Sequence, residues 1–429
     1  MASIGQAFRS LIRTRTISTR LYFTTSKQNK KASLYARISP LGNPGVNVTL
    51  ELDKWVESGN KVGFSELQRI VFDFRKRRRY THALQVSEWM RNRDTFEFTT
   101  IHHAIQLDLI GVVHGITQAE NYFNSLSEQF KNEKVYGALL HCYARKRQIE
   151  KAQSHLNTMI EKDIVLSSPA FNDIMGIYLN TSENEKVPGF LKQMKDSGIQ
   201  PNNLSYRLCI NSYGVRSDIE GMENILDEME SDSSIVMDWK TYAAVANFYI
   251  KASLTSKANV VLKKAEGRLG SKDGVAYNSL ISLHARLGNK DDVLRLWCLE
   301  KKACKRYLNH DYTNMLESLV KLGEFDEAEN VLSCWGSSGN QIDLRVPKVL
   351  VFGYTEKGLC EKAEMLLNHL VKTGKGTLPD MWGRVVEGYL EKGEVDNAVN
   401  TLKVARSVHD ASDYSKLEKM ISDYKERNK

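Results

Sequence analysis

The sequence lacks any apolar run close to the roughly 18 uninterrupted apolar residues that a membrane-spanning helix needs. Glycine and proline are also few, at 27 and 7 of 429 residues, which argues against collagen-like and low-complexity chains. Apolar residues make up 41% of the chain and charged residues 26%, as in ordinary globular proteins. We therefore expect a folded protein without a membrane span.

Motifs for catalysis and for metal binding are missing as well. The chain has no G-x-x-x-x-G-K-[ST] phosphate loop, no G-x-S-x-G nucleophile elbow and no H-x-E motif of the zinc deaminases. Its six cysteines form no C-x-x-C pair, and no histidine stands at zinc-finger spacing. These absences predict a protein that is not an enzyme and that uses no metal, no cofactor and no small-molecule substrate.

Acidic residues are absent from the first 50 positions. The first 25 or so residues are rich in Arg, Ser and Thr and carry apolar residues at helical spacing. They contain Arg20-Leu21-Tyr22-Phe23, which resembles a mitochondrial processing site and favours the mitochondrion over the plastid as the destination. We predict that residues 1–30 form a transit peptide for the mitochondrial matrix, a retained basic tail that contacts RNA being the alternative. Eight of the 60 Lys and Arg residues lie in the first 50 positions, so the remaining 52 balance the 52 Asp and Glu residues. Affinity of the body for phosphate must therefore come from a local basic surface.

A repeat dominates the rest of the chain. A small or aliphatic residue, here called the anchor, recurs every 33 to 36 residues, and a bulky residue such as Met159 or Met194 often follows seven places later. The ten anchors are Ala83, Ala119, Ala152, Val187, Met222, Ala258, Val293, Ala328, Ala363 and Ala398. Aromatic residues recur nine and sixteen places before an anchor, as in Tyr249 and Tyr242, and so share one helical face.

Glycine marks the middle of four later units, where it can end a helix in the left-handed conformation. These glycines are Gly288, Gly323, Gly358 and Gly393. Each unit is thus predicted to be a helical hairpin, and neighbours must stack because one hairpin cannot bury both aromatic rows. The predicted fold is all-α, a right-handed α-solenoid of about ten helical-hairpin repeats.

The motifs of the units resemble the pentatricopeptide repeat. Ala276-Tyr277-Asn278-Ser279-Leu280-Ile281 and Met194-Lys195-Asp196-Ser197-Gly198-Ile199-Gln200-Pro201-Asn202 carry the resemblance most clearly, and the opening of the repeat region looks like the P subfamily of plant mitochondria. The resemblance covers residues 64–413 with ten repeats. A capping half-repeat at residues 46–63 and a capping helix at residues 414–429 are predicted to close its two ends.

The resemblance implies binding of single-stranded RNA, with one base read per unit by two side chains. The base-reading residue lies fifteen places before the anchor, and its partner lies just before the next unit begins. Asn172 with Asn202 resembles a pyrimidine reader, and Thr313 with Asp343 resembles a guanine reader. Asn278 is a third base-reading residue, but its partner position holds Leu308.

Two further positions of the repeat are assigned to RNA by the same resemblance. An aliphatic residue three places before the reader sandwiches the base, and Ile101, Leu204 and Val275 match it. A basic residue seven places before the anchor approaches phosphate, although a cation at a solvated helix end would also favour the helix dipole. The predicted phosphate-binding residues are Lys76, Arg145, Lys251, Arg286 and Lys321.

The function that the resemblance implies is non-enzymatic RNA binding in mitochondrial RNA metabolism, in transcript stabilisation, processing or translation. Its expected partner is single-stranded organellar RNA, and a further expectation is ribosomal or other RNA-processing proteins. Most other units carry residues at the reader position that match no reader. The alternative is therefore a structural or interaction solenoid, for example a mitochondrial ribosome-associated component.

Overall fold

The computed structural model describes residues 33–43, 45–93, 95–270, 272–409 and 414–427, so the predicted transit peptide lies outside the described residues. All regular secondary structure in these residues is helical. The chain divides into two compact units. One extends to Lys146 and includes His155–Val165, and the other contains Arg147–Ser154 and the residues from Leu166 onward.

The first unit is a stack of helices from the amino-terminal part of the chain. Its helices are α1 (Leu34–Ile38), α2 (Thr49–Glu57), α3 (Phe64–Lys76), α4 (Tyr80–Arg91), α5 (Thr100–Val113), α6 (Ile116–Ser125) and α7 (Glu133–Arg145), with a 3-10 turn at Glu128–Phe130. Helix α8 (Ile149–Glu161) contributes residues to both units. In the region of the predicted capping half-repeat, α2 packs on α4, and Asp53 accepts hydrogen bonds from Trp89 Nε1 and Arg93 Nη2, each 2.8 Å long.

The second unit contains the remaining helices. They are α9 (Ser168–Asn180), α10 (Val187–Asp196), α11 (Asn203–Val215), α12 (Ile219–Ser231), α13 (Trp239–Lys251), α14 (Thr255–Glu266), α15 (Gly274–Leu287), α16 (Lys290–Cys304), α17 (Asn309–Leu322), α18 (Phe325–Gly336), α19 (Arg345–Glu356), α20 (Cys360–Lys372), α21 (Pro379–Glu391), α22 (Val395–Val408) and α23 (Ser415–Arg427), with a 3-10 turn at Asn184–Lys186. Helix α23, in the region of the predicted capping helix, packs on α21 and α22.

Consecutive helices pair as hairpins within each unit: α3 with α4 and α5 with α6 in the first unit, and the seven pairs from α9 with α10 to α21 with α22 in the second. The first helix of a hairpin also packs against the first helix of the next, as α13 does with α15 and α15 with α17. The all-α fold of about ten helical hairpins is confirmed. The predicted boundaries of the caps and of the transit peptide stay predictions.

In nine of the predicted repeat units, the turn between the two helices contains one residue in the left-handed conformation. Gly288, Gly323, Gly358 and Gly393 have φ of 80, 79, 71 and 78°, as the sequence predicted. The same place, five residues before the anchor, is left-handed without glycine in five other hairpins. There it is held by Arg78, Arg147, Ser182, Ser217 and Ser253, with φ between 56 and 65°. The turn geometry therefore imposes this conformation whether or not glycine is present.

Small residues allow the helices to approach closely. The seven alanine anchors are fully buried. A Cβ atom on Gly214 would lie 2.4 Å from the ring of Phe248, and one on Gly353 would lie 2.5 Å from a methyl group of Val320. At these two crossings the glycine backbone of one first helix packs directly against a side chain of a neighbouring first helix. Any larger residue would collide with that side chain.

The aromatic residues nine places before an anchor carry a polar contact that the sequence did not predict. Tyr249 Oη donates to Glu223 Oε1 over 2.7 Å, and Tyr389 Oη donates to Glu364 Oε2 over 2.9 Å, so each hydroxyl reaches the residue that follows the preceding anchor. Lys257 adds an ion pair of 2.6 Å to Glu223. These hydrogen bonds from Lys257 and Tyr249 lower the pKa of Glu223 against the opposing effect of burial. Neighbouring hairpins are thereby joined by charge-assisted hydrogen bonds as well as by apolar packing.

Candidate nucleic-acid interface

The first helices carry the predicted interface as a stripe along each helix. On α15, Val275, Asn278, Ser282 and Arg286 follow one another at spacings of three and four residues and therefore share one helical face. The stripe runs from the predicted base-sandwiching residue through the base reader to the predicted phosphate-binding residue. A single helix can thus present apolar, amide and cationic groups to one nucleotide.

The partner position of a reader pair is the N-cap of the next first helix. Asn202 Oδ1 accepts from the backbone N–H groups of Leu204 and Ser205 at 2.9 and 3.1 Å, which caps α11. In the same way Asp238 caps α13, and Asp273 caps α15. A capping side chain lies at the start of its helix, beside the first turn of the preceding first helix, and this is where the reader stands.

The structure brings Asn172 and Asn202 together. Asn172 Nδ2 donates to Asn202 Oδ1 over 3.2 Å. The other amide atom of Asn172, Oδ1, is buried and accepts no hydrogen bond within the described part of the chain. The pair is therefore fixed by one hydrogen bond and keeps an unused acceptor.

Asn278 meets a different partner from the one at the predicted position. Leu308 is exposed, whereas Asn278 Nδ2 donates to Asp311 Oδ1 at 2.7 Å and to the carbonyl oxygen of Gly274 at 2.9 Å. Asp311 also accepts from the backbone N–H of Leu308 at 2.6 Å, as the third residue of a helix does in a capping box. As in Asn172, the Oδ1 atom of Asn278 is buried and accepts no hydrogen bond from the described residues.

Glu300 lies directly behind Asn278, and its carboxyl group is fully buried. Its Oε1 atom is 3.4 Å from Asn278 Nδ2, and its Oε2 atom has no hydrogen-bond partner among the described residues. Burial and the neighbouring carboxylate of Asp311 raise the pKa of Glu300 to about 8. Sequence reasoning missed this group, although it stands seven places after anchor Val293, where other units carry methionine.

Thr313 and Asp343 do not form a hydrogen bond with each other in the structure. The Thr313 hydroxyl donates to the carbonyl oxygen of Asn309 at 3.0 Å, and the Asp343 carboxylate is held by Arg345. Hydrogen bonds from Arg345 lower the pKa of Asp343, although burial opposes the shift. Thr313 nevertheless lines a cleft of about 710 Å³ between α17 and α19, and Lys321, Arg345, Lys348 and Phe352 line it too.

The predicted phosphate-binding residues all lie in the last turns of first helices, and they differ in their surroundings. Lys76, Lys251 and Lys321 are exposed and form no ion pair with the described residues. Arg145 pairs with Asp108, which also accepts from Arg75 over 2.9 Å, and Arg286 donates to Asn247 Oδ1. Three of the five cations are therefore available to a phosphate, and two are already hydrogen-bonded.

The aliphatic residues of the stripe are exposed where most aliphatic residues of the fold are buried. Leu204 is 43% exposed and Val275 is 66% exposed. In the first unit, Ile101 is exposed as well. Apolar side chains at a regular position on the surface suit a flat aromatic ligand such as a nucleic-acid base.

Two negative findings concern the part of the chain that the structure describes. No three His, Cys, Asp or Glu side chains in it come together in a way that could hold a metal ion. None of its helices is both long enough and apolar enough to cross a membrane.

Comparison with known proteins supports the interpretation of the repeat as a pentatricopeptide repeat. The PPR repeat family matches at residues 134–164, 204–234, 275–299 and 311–340, and the pentatricopeptide repeat domain family matches at residues 156–216. A mitochondrial pentatricopeptide repeat-containing protein of Arabidopsis thaliana is 48% identical over 91% of this chain and 79% of its own length. A second such Arabidopsis protein is 35% identical over 90% of this chain and 79% of its own length.

Solved structures of the same repeat share the fold. The crystal structure of the pentatricopeptide repeat protein PPR10 in complex with an 18-nucleotide psaJ RNA element aligns with a TM-score of 0.59 at 17% identity, over 91% of this chain and 59% of that chain. The structure of PPR10 from maize aligns with a TM-score of 0.50 at 16% identity, over 88% of this chain and 62% of that one. This chain thus spans less than two thirds of the length of PPR10. The matched repeats, the identity to these relatives and the shared fold show that the chain belongs to the pentatricopeptide repeat family.

Proposed function

We propose that the protein binds single-stranded RNA along the faces of its first helices and acts in mitochondrial RNA metabolism. It would act there by occupying a transcript, in stabilisation, processing or translation, and not by catalysis. The relatives named above are mitochondrial, and PPR10 was solved with RNA, which supports both parts of the proposal. The mitochondrial matrix is the proposed compartment.

The single observation that carries the proposal is the composition of the stripe on the first helices. Exposed Val275 and the amide of Asn278 lie on one face of α15, while the exposed cations of Lys251 and Lys321 extend from the last turns of the neighbouring first helices. Apolar contact, an amide hydrogen bond and a cation match the three parts of a nucleotide: base face, base edge and phosphate.

The electrostatic part of the RNA affinity should come from the exposed lysines at the ends of the first helices and not from the net charge of the body. For single-stranded nucleic acid, each neutralised phosphate contributes about −0.7 to the slope of log affinity against log salt concentration. Replacing Lys251 and Lys321 by alanine should therefore flatten the slope by about 1.4 and weaken all RNA sequences alike.

A matched control removes the same charge from the other helices. Lys257 and Lys264 lie on α14, where they pair with Glu223 and Glu230. The test is fluorescence anisotropy of randomised single-stranded RNA at several salt concentrations, with the double variants K251A/K321A and K257A/K264A. If both variants lost affinity equally, net charge and not the stripe would govern binding; if the wild type bound no RNA, the proposed function would be wrong.

A second function is favoured by one reader pair. Arg207 occupies a reader position, and its Nη1 atom pairs with Asp238 at the partner position over 3.2 Å. Two residues that bond each other leave little for a base, as expected of a structural or interaction solenoid such as a ribosome-associated component. Co-sedimentation with mitochondrial ribosomal subunits after ribonuclease treatment would support this second function.

A further inference from the structure

The carboxylate of Asp343 is held by a two-point contact. Arg345 Nε donates to Oδ1 at 2.9 Å, and Arg345 Nη2 donates to Oδ2 at 2.7 Å. The backbone N–H of Arg345 adds a third hydrogen bond of 3.1 Å to Oδ1. Both oxygens of the predicted partner of Thr313 are thus engaged, although the Arg345 side chain is 81% exposed.

The guanidinium group presents the same pattern of donors as guanine. A carboxylate only accepts hydrogen bonds, and the Nε–H and Nη–H groups of arginine form a planar fork that matches its two oxygens. The Watson–Crick edge of guanine carries N1–H beside the N2 amino group, which is a fork of two adjacent donors as well. A guanine that pairs with Asp343 must therefore displace Arg345, because both ligands need the same two oxygens.

Arg345 also stands at an informative position of the repeat. It lies three places before Lys348, the reader position of its unit, where other units carry Leu204 or Val275. An aliphatic side chain at this place has no hydrogen-bond donor to offer the neighbouring carboxylate. Arg345 lines the cleft of about 710 Å³ that Thr313 lines, and it also lines a cleft of about 370 Å³ together with Asp343, so Arg345 is shared by the surroundings of both predicted readers.

We propose that Arg345 is a specificity-determining residue that occupies Asp343 as an internal mimic of guanine and so weakens guanine selection by the unit of Thr313. The inference rests on the proposed RNA-binding function. An exposed ion pair is reversible, so the unit still admits a base, but Asp343 discriminates guanine from the other bases less than a free carboxylate would.

Three variants of the full chain test the proposal. R345V installs the aliphatic residue found in other units and removes both side-chain donors to Asp343, while the backbone hydrogen bond to Oδ1 stays. R345V/D343N keeps that change but removes the carboxylate. The matched control, K240V, makes the same kind of substitution three places before Ala243, the reader position of its own unit, and so adds an aliphatic side chain and removes one charge without freeing Asp343.

The measurement is selection from a library of randomised single-stranded RNA, followed by sequencing of the bound fraction. R345V should enrich guanosine at one position of the selected RNA about tenfold more than the wild type does, as expected for one good two-point base contact. R345V/D343N and K240V should not show this enrichment. Because Arg345 is exposed, circular dichroism melting curves of the variants should coincide with that of the wild type.

Two results would overturn the proposal in distinguishable ways. If the wild type selects RNA but R345V selects guanosine no more strongly, or if R345V/D343N keeps the enrichment, Arg345 does not mask Asp343. If neither the wild type nor any variant enriches RNA, the proposed function itself is wrong, and the inference falls with it.

Discussion

Replacing the buried Glu300 with glutamine should change how the free energy of unfolding depends on pH. The fully buried carboxyl group has one oxygen without a partner in the described residues and has Asp311 beside it. Its pKa is raised from an ordinary value of 4.5 to about 8. Glutamine has nearly the shape of the protonated acid and cannot ionise.

The expected magnitude follows from proton linkage. Between pH 4.5 and 8 the unfolded chain releases the proton of Glu300, while the folded protein keeps it. In that window the free energy of unfolding of the wild type falls as pH rises, by up to about 1.4 kcal/mol per pH unit. From pH 5 to pH 8 the effect would be about 3 kcal/mol, because the unfolded chain is already partly ionised at pH 5 and the folded protein begins to ionise near pH 8. E300Q should lack this loss and be the more stable protein at pH 8.

Urea denaturation followed by circular dichroism at pH 5 and pH 8 measures the effect. The free energy of unfolding of E300Q minus that of the wild type should increase from pH 5 to pH 8. A matched control is E317Q, since Glu317 lies exposed on the neighbouring helix α17. An unchanged difference between E300Q and the wild type at the two pH values would refute the assignment of a protonated, buried Glu300.

Three further predictions concern the turns, the polar contacts between hairpins and the amino terminus. Gly288→Ala should destabilise by about 1–2 kcal/mol because its φ is 80° in open space, whereas Gly176→Ala in the interior of α9, also in open space, should stabilise by about 0.5–1 kcal/mol. Thermal melting that shifts in the same direction for both would contradict the conformational argument. Tyr249→Phe should lower the free energy of unfolding by about 0.5–1.5 kcal/mol, because it removes the hydrogen bond to Glu223. The control Tyr277→Phe should lower it less, because the Tyr277 hydroxyl donates no hydrogen bond to the described residues. Equal losses for the two variants in urea denaturation would argue against the contact. The protein isolated from mitochondria should begin between about residues 20 and 40, and amino-terminal sequencing that finds Met1 or Ala2 would disprove import by a cleaved transit peptide.

Much of the fold could be predicted because its determinants are local and repeated. The spacing of the anchors places one buried small residue in every second helix, and Ala258 and Ala328 are fully buried as expected. The left-handed turns were predicted only at glycines, because Ser217 and Ser253 carry no sequence signal for this conformation. Their conformation is set by the short connection between two packed helices.

The candidate site was predictable where its residues also have a local structural role. Asn202 is both an N-cap and the partner of Asn172, so its position relative to the helix follows from the sequence. For Asn278 the same reasoning gave Leu308, which has no side-chain acceptor. Asp311 makes the contact with Asn278 instead, and it also accepts from the backbone N–H of Leu308. Competition between two nearby groups for one role cannot be decided from spacing alone.

The sequence by itself determined the period, the helical hairpins and the stripe of readers, aliphatic residues and cations along the first helices. These follow from helical geometry, which places residues three and four apart on one face whatever surrounds them. Only the tertiary structure decided that Glu300 lies buried behind Asn278 and that Arg345 occupies Asp343. Such contacts depend on how closely neighbouring helices pack and on which donor lies within hydrogen-bond distance of a carboxylate. Neither can be read from the spacing of residues along the sequence.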